Sequence, residues 1–575
     1  MKRYWKYIRP YIQYYILGPC FMMMEVVGDV LLPYMLAKII NQGIAERNVV
    51  YIIKIGAIMG FIAVIMAVGG VLGAWFASKA AMNFGADLRM DLFEKIQQFS
   101  FQNIDNFSTG SLITRLTNDI TQIQNMIMMT LRMCLRSPGI LIGAMVMAFV
   151  ISPKLAAIFI IVLPVLAVLI VVIMRCAFPQ FRTLQEKLDA LNSCIQEGLV
   201  GIRLIKSFVR GDYEEMRFEK RNQQLKEANL TAMKTMLLYT PLMTLALNIT
   251  TVVVVWSGGN MIVAGNMQVG DLTAFTNYIV QIMSSLTMLS IAFLNWARAI
   301  ASFRRVGEVL DEKIDLTDEN AKHKDRAVCE GSVEFQNVSF RYYKNSPEWV
   351  IENISFKLEA GKTLGIIGPT GSGKSTLVSM IPRLYDTDEG TVLVDGINVR
   401  DYGLKPLRDG IGMVLQNNTL FSGSITENLK WGDEDADENA VRKAAQNAQA
   451  AGFIDSFKDG YRTRLEQSGN NVSGGQKQRL CIARALLKCP KILILDDSTS
   501  AVDTATERAI REALHSEYKD MTKIIIAQRI RSVMDADEIL VLDNGKTAGF
   551  GTHEQLLADC PVYREIYDVQ NGREE

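Results

Sequence analysis

The chain is 575 residues long and 49% hydrophobic, with 61 basic and 61 acidic side chains. That length predicts about two to four domains, and the balanced charge excludes a polyelectrolyte that binds nucleic acid. The eight cysteines form no C-x-x-C pair and meet no clustered histidine, so neither a zinc site nor a disulfide framework is expected.

Residues 1–6, MKRYWK, are basic and lack a short apolar core with a small-residue cleavage site. They read as the cytoplasmic flank of a retained membrane helix rather than a signal peptide. Six apolar segments follow, at 14–40, 52–77, 137–151, 155–176, 236–263 and 272–297. A bilayer span needs roughly 20 residues, so the third must begin before 137. The connections 41–51, 152–154 and 265–271 are short. Those at roughly 80–135 and 177–235 are long, helical in pattern and rich in arginine and lysine, including Arg89, Lys95, Arg115, Arg182, Lys187 and Arg203. The excess of basic residues places both long connections in the cytoplasm, and an even number of spans puts both termini there too. Each has a break before a short helix, 105–110 before 111–119 and 198–201 before 202–208. These are either solvated hairpin tips or the ends of levers that touch a second domain.

Glu25 and Asp29 stand mid-span in the first apolar segment, four residues apart and so on one helix face. Intramembrane carboxylates are costly and face a bundle interior or a wet cavity. They either line a cavity that attracts cationic substrate or exchanges protons, or bond neighbouring helices for packing. The same alternatives hold for Asn248, Asn277, Gln281 and Asn295. The 28 methionines, among them Met126, Met128, Met129 and Met133, suit a plastic cavity wall or plain apolar filling.

Residues 311–329 turn polar and mark a boundary. Beyond it, strands are expected at 332–340, 363–367, 391–394, 411–415, 491–495, 523–527 and 538–542. Helical patterns lie between several of them, which makes an α/β domain with parallel strands. Gly368, Pro369, Thr370, Gly371, Ser372, Gly373, Lys374 and Ser375, followed by Thr376, match the phosphate-binding pattern G-x-x-x-x-G-K-[ST]. The apolar strand before it and an expected helix over 375–384 supply the context that pattern needs. Backbone N–H groups and the helix N-terminus would surround a polyphosphate, with Lys374 on its outer phosphates and Ser375 Oγ on Mg²⁺.

The motifs that follow are Gln416 at the end of 411–415, the run Ser473, Gly474, Gly475 and Gln476 opening a helix, Asp496 closing an apolar strand, and Asp503. Their order and spacing resemble the nucleotide-binding domain of an ABC transporter, and six preceding spans resemble a half-transporter of the exporter type. The resemblance covers essentially the whole chain. It implies a multidomain fold: a six-helix α-helical transmembrane domain over 1–310, a linker at 311–330, and an α/β P-loop nucleotide-binding domain of the ABC type over 331–575. It also implies ATP and Mg²⁺ as cofactors. Tyr342 would stack on adenine, and Asp496 and Gln416 would join Ser375 around Mg²⁺. Ser473, Gly474 and Gly475 would cap a nucleotide held by a second homologous half-transporter, and the short cytoplasmic helices would dock on nucleotide domains.

The sequence departs from that family at the reaction centre. Asp497 stands where glutamate is usual, withdrawing the carboxylate by roughly 1.5 Å, and Gln528 stands where histidine is usual. Glutamine cannot share a proton as imidazole does. Gln467 replaces a common acidic residue, and Arg531 a usual small one for which the sequence offers no account. The signature at 473–476 is intact. The resemblance is thus to the degenerate-site subunit of a heterodimeric, multidrug-type exporter of amphiphilic small molecules, embedded in lipid of a bacterial plasma membrane. Such a chain holds ATP while its partner hydrolyses most of it. A homodimeric lipid or lipopeptide exporter, and a regulatory ATP-clamp subunit, remain as alternatives. With no Cys/His peptidase domain before the first span, a leader-cleaving peptide exporter is not expected.

Overall fold

The structure, a computed structural model, describes residues 2–344, 346–498 and 502–572, with the side chains at 2, 290, 291, 293–295, 297 and 298 outside the described set. Asn295 of the expected polar group falls there. Two units result: Met1–Gln97 with Gly110–Asp311, and Gln98–Thr109 with Glu312–Glu575.

The first unit is helical. Among the described residues, five helical runs are long and apolar enough to cross a membrane: Trp5–Ile44, Val49–Gln97, Thr109–Ile151, Pro153–Val200 and Gly211–Val263. The sixth expected span lies within helix Val269–Asp311, which passes through the undescribed side chains. The first two runs meet through small residues. Gly69, Gly73 and Ala77 recur every four residues on one helix, and a Cβ on Gly73 would lie 3.1 Å from Gly18 O on the other. Such spacing lets backbones approach where lipid offers no hydrophobic drive. The core gathers Val26, Val30, Ala144, Ala148, Phe159 and Phe275, with the two phenyl rings stacked at 5.4 Å. Tyr278 Oη donates to Val30 O at 2.8 Å and Gln281 Nε2 to Asp29 O at 2.7 Å, pinning the first helix to the last. Asn277 instead donates to Thr273 O of its own helix at 3.0 Å.

Glu25 and Asp29 both face Arg136. Its Nη2 donates to Glu25 Oε1 at 2.8 Å and to Asp29 Oδ2 at 3.5 Å. The pairing supplies the counter-charge that intramembrane carboxylates require. Arg136→Leu leaves two like charges without it and should cost about 3 kcal/mol. Thermal unfolding of the detergent-solubilised protein should register this as a lowered midpoint, with much of it recovered when Glu25→Gln and Asp29→Asn are added.

The second unit is α/β. A six-stranded sheet runs in the order Lys546–Gly551, Glu538–Asp543, Thr363–Ile367, Thr522–Ile526, Ile492–Asp496 and Ile411–Val414. Its last five strands are parallel neighbours, and Lys546–Gly551 is antiparallel at the edge. A second sheet orders Ile351–Leu358, Val333–Phe340, Glu389–Val394 and Ile397–Asn398, all antiparallel. Thr363–Ile367 and Ile492–Asp496 are buried along their whole length, as strands covered on both faces must be.

Two elements differ from the sequence expectation. The helix after the phosphate loop is Lys374–Ser379, not 375–384. Pro382 disfavours helical backbone at the residue before it, and Arg383 adopts a left-handed φ of 51°. In the first long connection, the short helix is Phe101–Asp105 rather than 111–119, and it belongs to the second unit. Ser100 and Asn103 form a capping box, and Asn103 Nδ2 also donates to Lys313 O at 2.9 Å. Tyr385 Oη donates to Asp105 Oδ2 at 2.9 Å, and Phe101 lies 6.0 Å from the Tyr385 ring. The stretch 111–119 is instead the body of helix Thr109–Thr114 running into a π-helical turn, Arg115–Asp119; from Gly110 on it belongs to the first unit. In the second connection Ile202–Ser207 is a helix, as expected, between Gly201 and a left-handed Val209.

Candidate active site

The site is built where the parallel strands end. Thr363–Ile367 delivers the chain into a loop that only glycine can open: Gly368 has φ 154°, and a Cβ there would lie 2.0 Å from Leu542 O. Gly371 and Gly373 follow at φ 85° and 90°. Ser372 is buried and its N–H donates to Pro369 O at 3.3 Å, while Thr370 and Gly371 are exposed at the tip. Lys374 folds over the loop, its Nζ donating to Pro369 O at 2.7 Å and to Gly368 O at 2.8 Å. Burial pulls its ammonium below the ordinary lysine range, opposed by the charges of Asp497 and Asp496. The following helix is only six residues long, so local N–H groups and Lys374, rather than a long helix dipole, make this loop an anion site.

Ser375 Oγ donates to Asp496 Oδ1 at 2.9 Å. Asp496 ends a fully buried strand; burial raises its carboxyl, and Ser375 opposes this. Next to it, Asp497 takes a left-handed φ of 47°, which turns its side chain out of the strand register. Gln528 Nε2 donates to Asp497 Oδ2 at 2.7 Å, and Gln416 also hydrogen-bonds this carboxylate. Burial raises the Asp497 carboxyl above the usual range, with the Gln528 hydrogen bond the largest opposing effect. Tyr342 closes the cluster. Its Oη shares a hydrogen bond with Thr376 Oγ1 at 2.9 Å, and Phe340 and Tyr385 stand edge-on to its ring at 5.1 and 5.3 Å.

Phosphate loop, Thr376, Asp496, Asp497, Gln416, Gln528 and Tyr342 therefore form one connected group. Ser473, Gly474, Gly475 and Gln476 begin helix Gly474–Leu487, where Ser473 N donates to Gln476 Oε1 at 2.9 Å and Gln476 N returns to Ser473 Oγ at 3.3 Å. This capping box fixes the signature turn from within. Asp503 accepts from Thr506 N at 3.0 Å and Thr506 Oγ1 at 2.7 Å and caps helix Thr504–Glu517; the Thr506 N–H holds its carboxyl below the usual range. Two contacts were not legible in the sequence. Tyr385 touches both Tyr342 and the short helix Phe101–Asp105, and Gln570 reaches the Gln528 backbone from a helix beyond every motif.

The ABC transporter transmembrane region family matches residues 15–286, and the ABC transporter family matches residues 351–500. The uncharacterized ABC transporter ATP-binding protein YfiB of Bacillus subtilis (strain 168) is 39% identical over 100% of this chain and 99% of its own length. This chain is an ABC transporter. The putative multidrug export ATP-binding/permease protein YgaD of the same strain is 33% identical to the transporter, covering 99% of both chains. A solved bacterial Atm1-family ABC exporter with ATP bound shares its fold at a TM-score of 0.81, with 24% identity and 98% of each chain covered. The transporter thus joins a membrane-embedded helical domain to an ATP-binding domain in one chain, and couples ATP to transport.

Proposed function

We propose that this chain is the ATP-holding, weakly hydrolysing subunit of a heterodimeric exporter of amphiphilic small molecules in a bacterial plasma membrane. The observation that carries this is the Asp497–Gln528 hydrogen bond at 2.7 Å. A short carboxylate already engaged by a side-chain amide has little capacity to take a proton from an attacking water, and the amide itself cannot relay one. Ser375 Oγ, Asp496 and Gln416 offer the hard oxygen donors that suit Mg²⁺. Bound there with ATP, Mg²⁺ would neutralise phosphate charge, and this chain's own residues would grip the triphosphate and orient it.

The intact signature turn supports a partner whose own site uses it. Two such domains, head to tail, would enclose two nucleotides, one in the weak site of this chain and one in a competent site. Phe101–Asp105 and Ile202–Ser207 would transmit closure to the membrane helices as an alternating-access cycle. ATP must then favour the closed state by about 5 kcal/mol to turn a mostly open population into a mostly closed one. For the substrate, a recess of about 280 Å³ lined by Met126, Met128, Met129, Met133, Gln122 and Arg132 offers adaptable apolar contact with polar edges. The multidrug name of the relative YgaD accords with such a cargo.

The test is Mg-ATP turnover by the purified full-length chain, alone and co-expressed with a homologous half-transporter that has Glu and His at the two altered positions. Alone, turnover should fall at least about tenfold below that of the pair. Equal turnover by the chain alone would overturn the assignment and favour a homodimer in which Asp497 serves as base.

A further inference from the structure

The final helix, Pro561–Gln570, ends against the loop that carries Gln528. Gln570 commits both ends of its side-chain amide to that loop's backbone. Nε2 donates to Gln528 O at 2.7 Å, and Oε1 accepts from Ile530 N at 2.8 Å. One residue on, Asn571 Oδ1 accepts from Arg531 Nη2 at 3.4 Å. From the other side, Arg511 in helix Thr504–Glu517 donates to Arg531 O at 2.7 Å. The helix has a firm footing: Tyr563 is fully buried in the domain core, and its Oη meets His553 Nδ1 at 2.7 Å.

This arrangement bears on the exposed short turn between strand Thr522–Ile526 and Ile530–Ser532. A side-chain amide bridging a carbonyl and an N–H two residues apart does what a neighbouring strand does, fixing the dihedrals of the residues between. Without it, Gln528 O and Ile530 N turn to water and the loop regains backbone freedom at the residue whose side chain holds Asp497. It also gives Arg531, unexplained in the sequence, a structural place.

We propose that Gln570 is a positioning residue of the ATP site. It holds the backbone of residues 528–530 so that Gln528 Nε2 stays on Asp497, and the carboxy-terminal helix thereby sets how firmly that pair is closed. This rests on the reading of Asp497 and Gln528 as the pair that limits hydrolysis, so the experiment includes an arm that does not depend on it.

The full-length chain carrying Gln570→Ala or Gln570→Glu is compared with the unmodified chain by hydrogen–deuterium exchange. Exchange at the Ile530 amide should rise about tenfold or more for Gln570→Ala, while the strand Ile492–Asp496 changes less than about twofold. Gln570→Glu keeps an acceptor for Ile530 N and loses the donor to Gln528 O, so its exchange should rise less. The same substitutions are then placed in the unmodified chain and in the Asp497→Glu, Gln528→His chain, and kinetics are read in both. In the unmodified chain Gln570→Ala should raise kcat about fivefold or more, by freeing Asp497 from the Gln528 amide. In the Asp497→Glu, Gln528→His chain it should lower kcat as much, by loosening the backbone that positions the imidazole. KM for ATP should stay within about twofold in both, because the phosphate loop is untouched. Unchanged exchange at Ile530 would overturn the proposal, and so would faster exchange with kcat unchanged. If Asp497→Glu, Gln528→His brings no gain in turnover, the reading of that pair fails, and exchange and kcat in the unmodified chain still decide the role of Gln570.

Discussion

Changing Asp497 to Glu and Gln528 to His together should raise steady-state ATP turnover of the purified chain by about tenfold to a hundredfold. A misplacement near 1 Å costs about a hundredfold when the displaced group is the one that orients the nucleophile. Glu restores the reach lost with one methylene, and His supplies a ring that can donate to a phosphate and exchange its proton near neutral pH. The geometry predicts that neither change alone suffices. With Gln528 retained, its amide still occupies the carboxylate, now longer but still capped. With Asp497 retained, an imidazole meets a carboxylate that stops short. The two effects should therefore be more than additive, as expected for side chains in direct contact at 2.7 Å. Phosphate release under saturating Mg-ATP, for both single changes and the double, measures this directly. A double variant no faster than the unmodified chain would show that something other than these two residues limits the reaction.

Lys374→Ala should weaken ATP binding by about a hundredfold, since charge-assisted hydrogen bonds to a desolvated anion contribute about 1.5–3 kcal/mol each. In the structure Lys374 Nζ is held by Gly368 O and Pro369 O, at 2.8 and 2.7 Å, poised over the loop mouth. Two carbonyl partners satisfy the ammonium without neutralising it, so the charge stays available to a triphosphate. Alanine removes both the charge and the group that spans the loop. Titration of the purified chain with a fluorescent ATP analogue, repeated for Lys374→Ala, tests this. A change smaller than about threefold would mean that the backbone N–H groups alone carry the phosphate contact.

Much of this was legible because motif and local structure agree. The phosphate loop lies between strand Thr363–Ile367, placed to the residue from its apolar run, and a helix whose start was off by one. Asp496, Asp497, Gln416 and Gln528 are spread along about 110 residues of sequence, and only the family resemblance implies that they meet; parallel strands 492–496 and 522–526 bring three of them to one sheet end. What escaped was whatever depends on tertiary partners. Periodicity extends the expected helix after Ser375 to 384, because Leu377, Val378, Met380 and Ile381 continue a helical stripe, whereas Pro382 opposes it. Strand Ile351–Leu358, not expected from the sequence, alternates buried and exposed residues, and Glu352, Asn353 and Lys357 dilute its apolar signal. The short helix Phe101–Asp105 has its start signal in Ser100 and Asn103, with which the glycine at 110 competes as a break signal. Arg136 could not be matched to Glu25 and Asp29, since more than 100 residues separate them along the chain.

The brevity of helix Lys374–Ser379 has an energetic consequence. Six residues align too few peptide units to project a field beyond the first turn. The pull on a triphosphate is then a contact force, delivered by loop amides and one ammonium within hydrogen-bonding range, well inside the roughly 8 Å over which physiological salt screens. Capture of nucleotide by this domain should accordingly vary little with ionic strength, and selectivity should follow the shape of the polyphosphate chain more than its total charge.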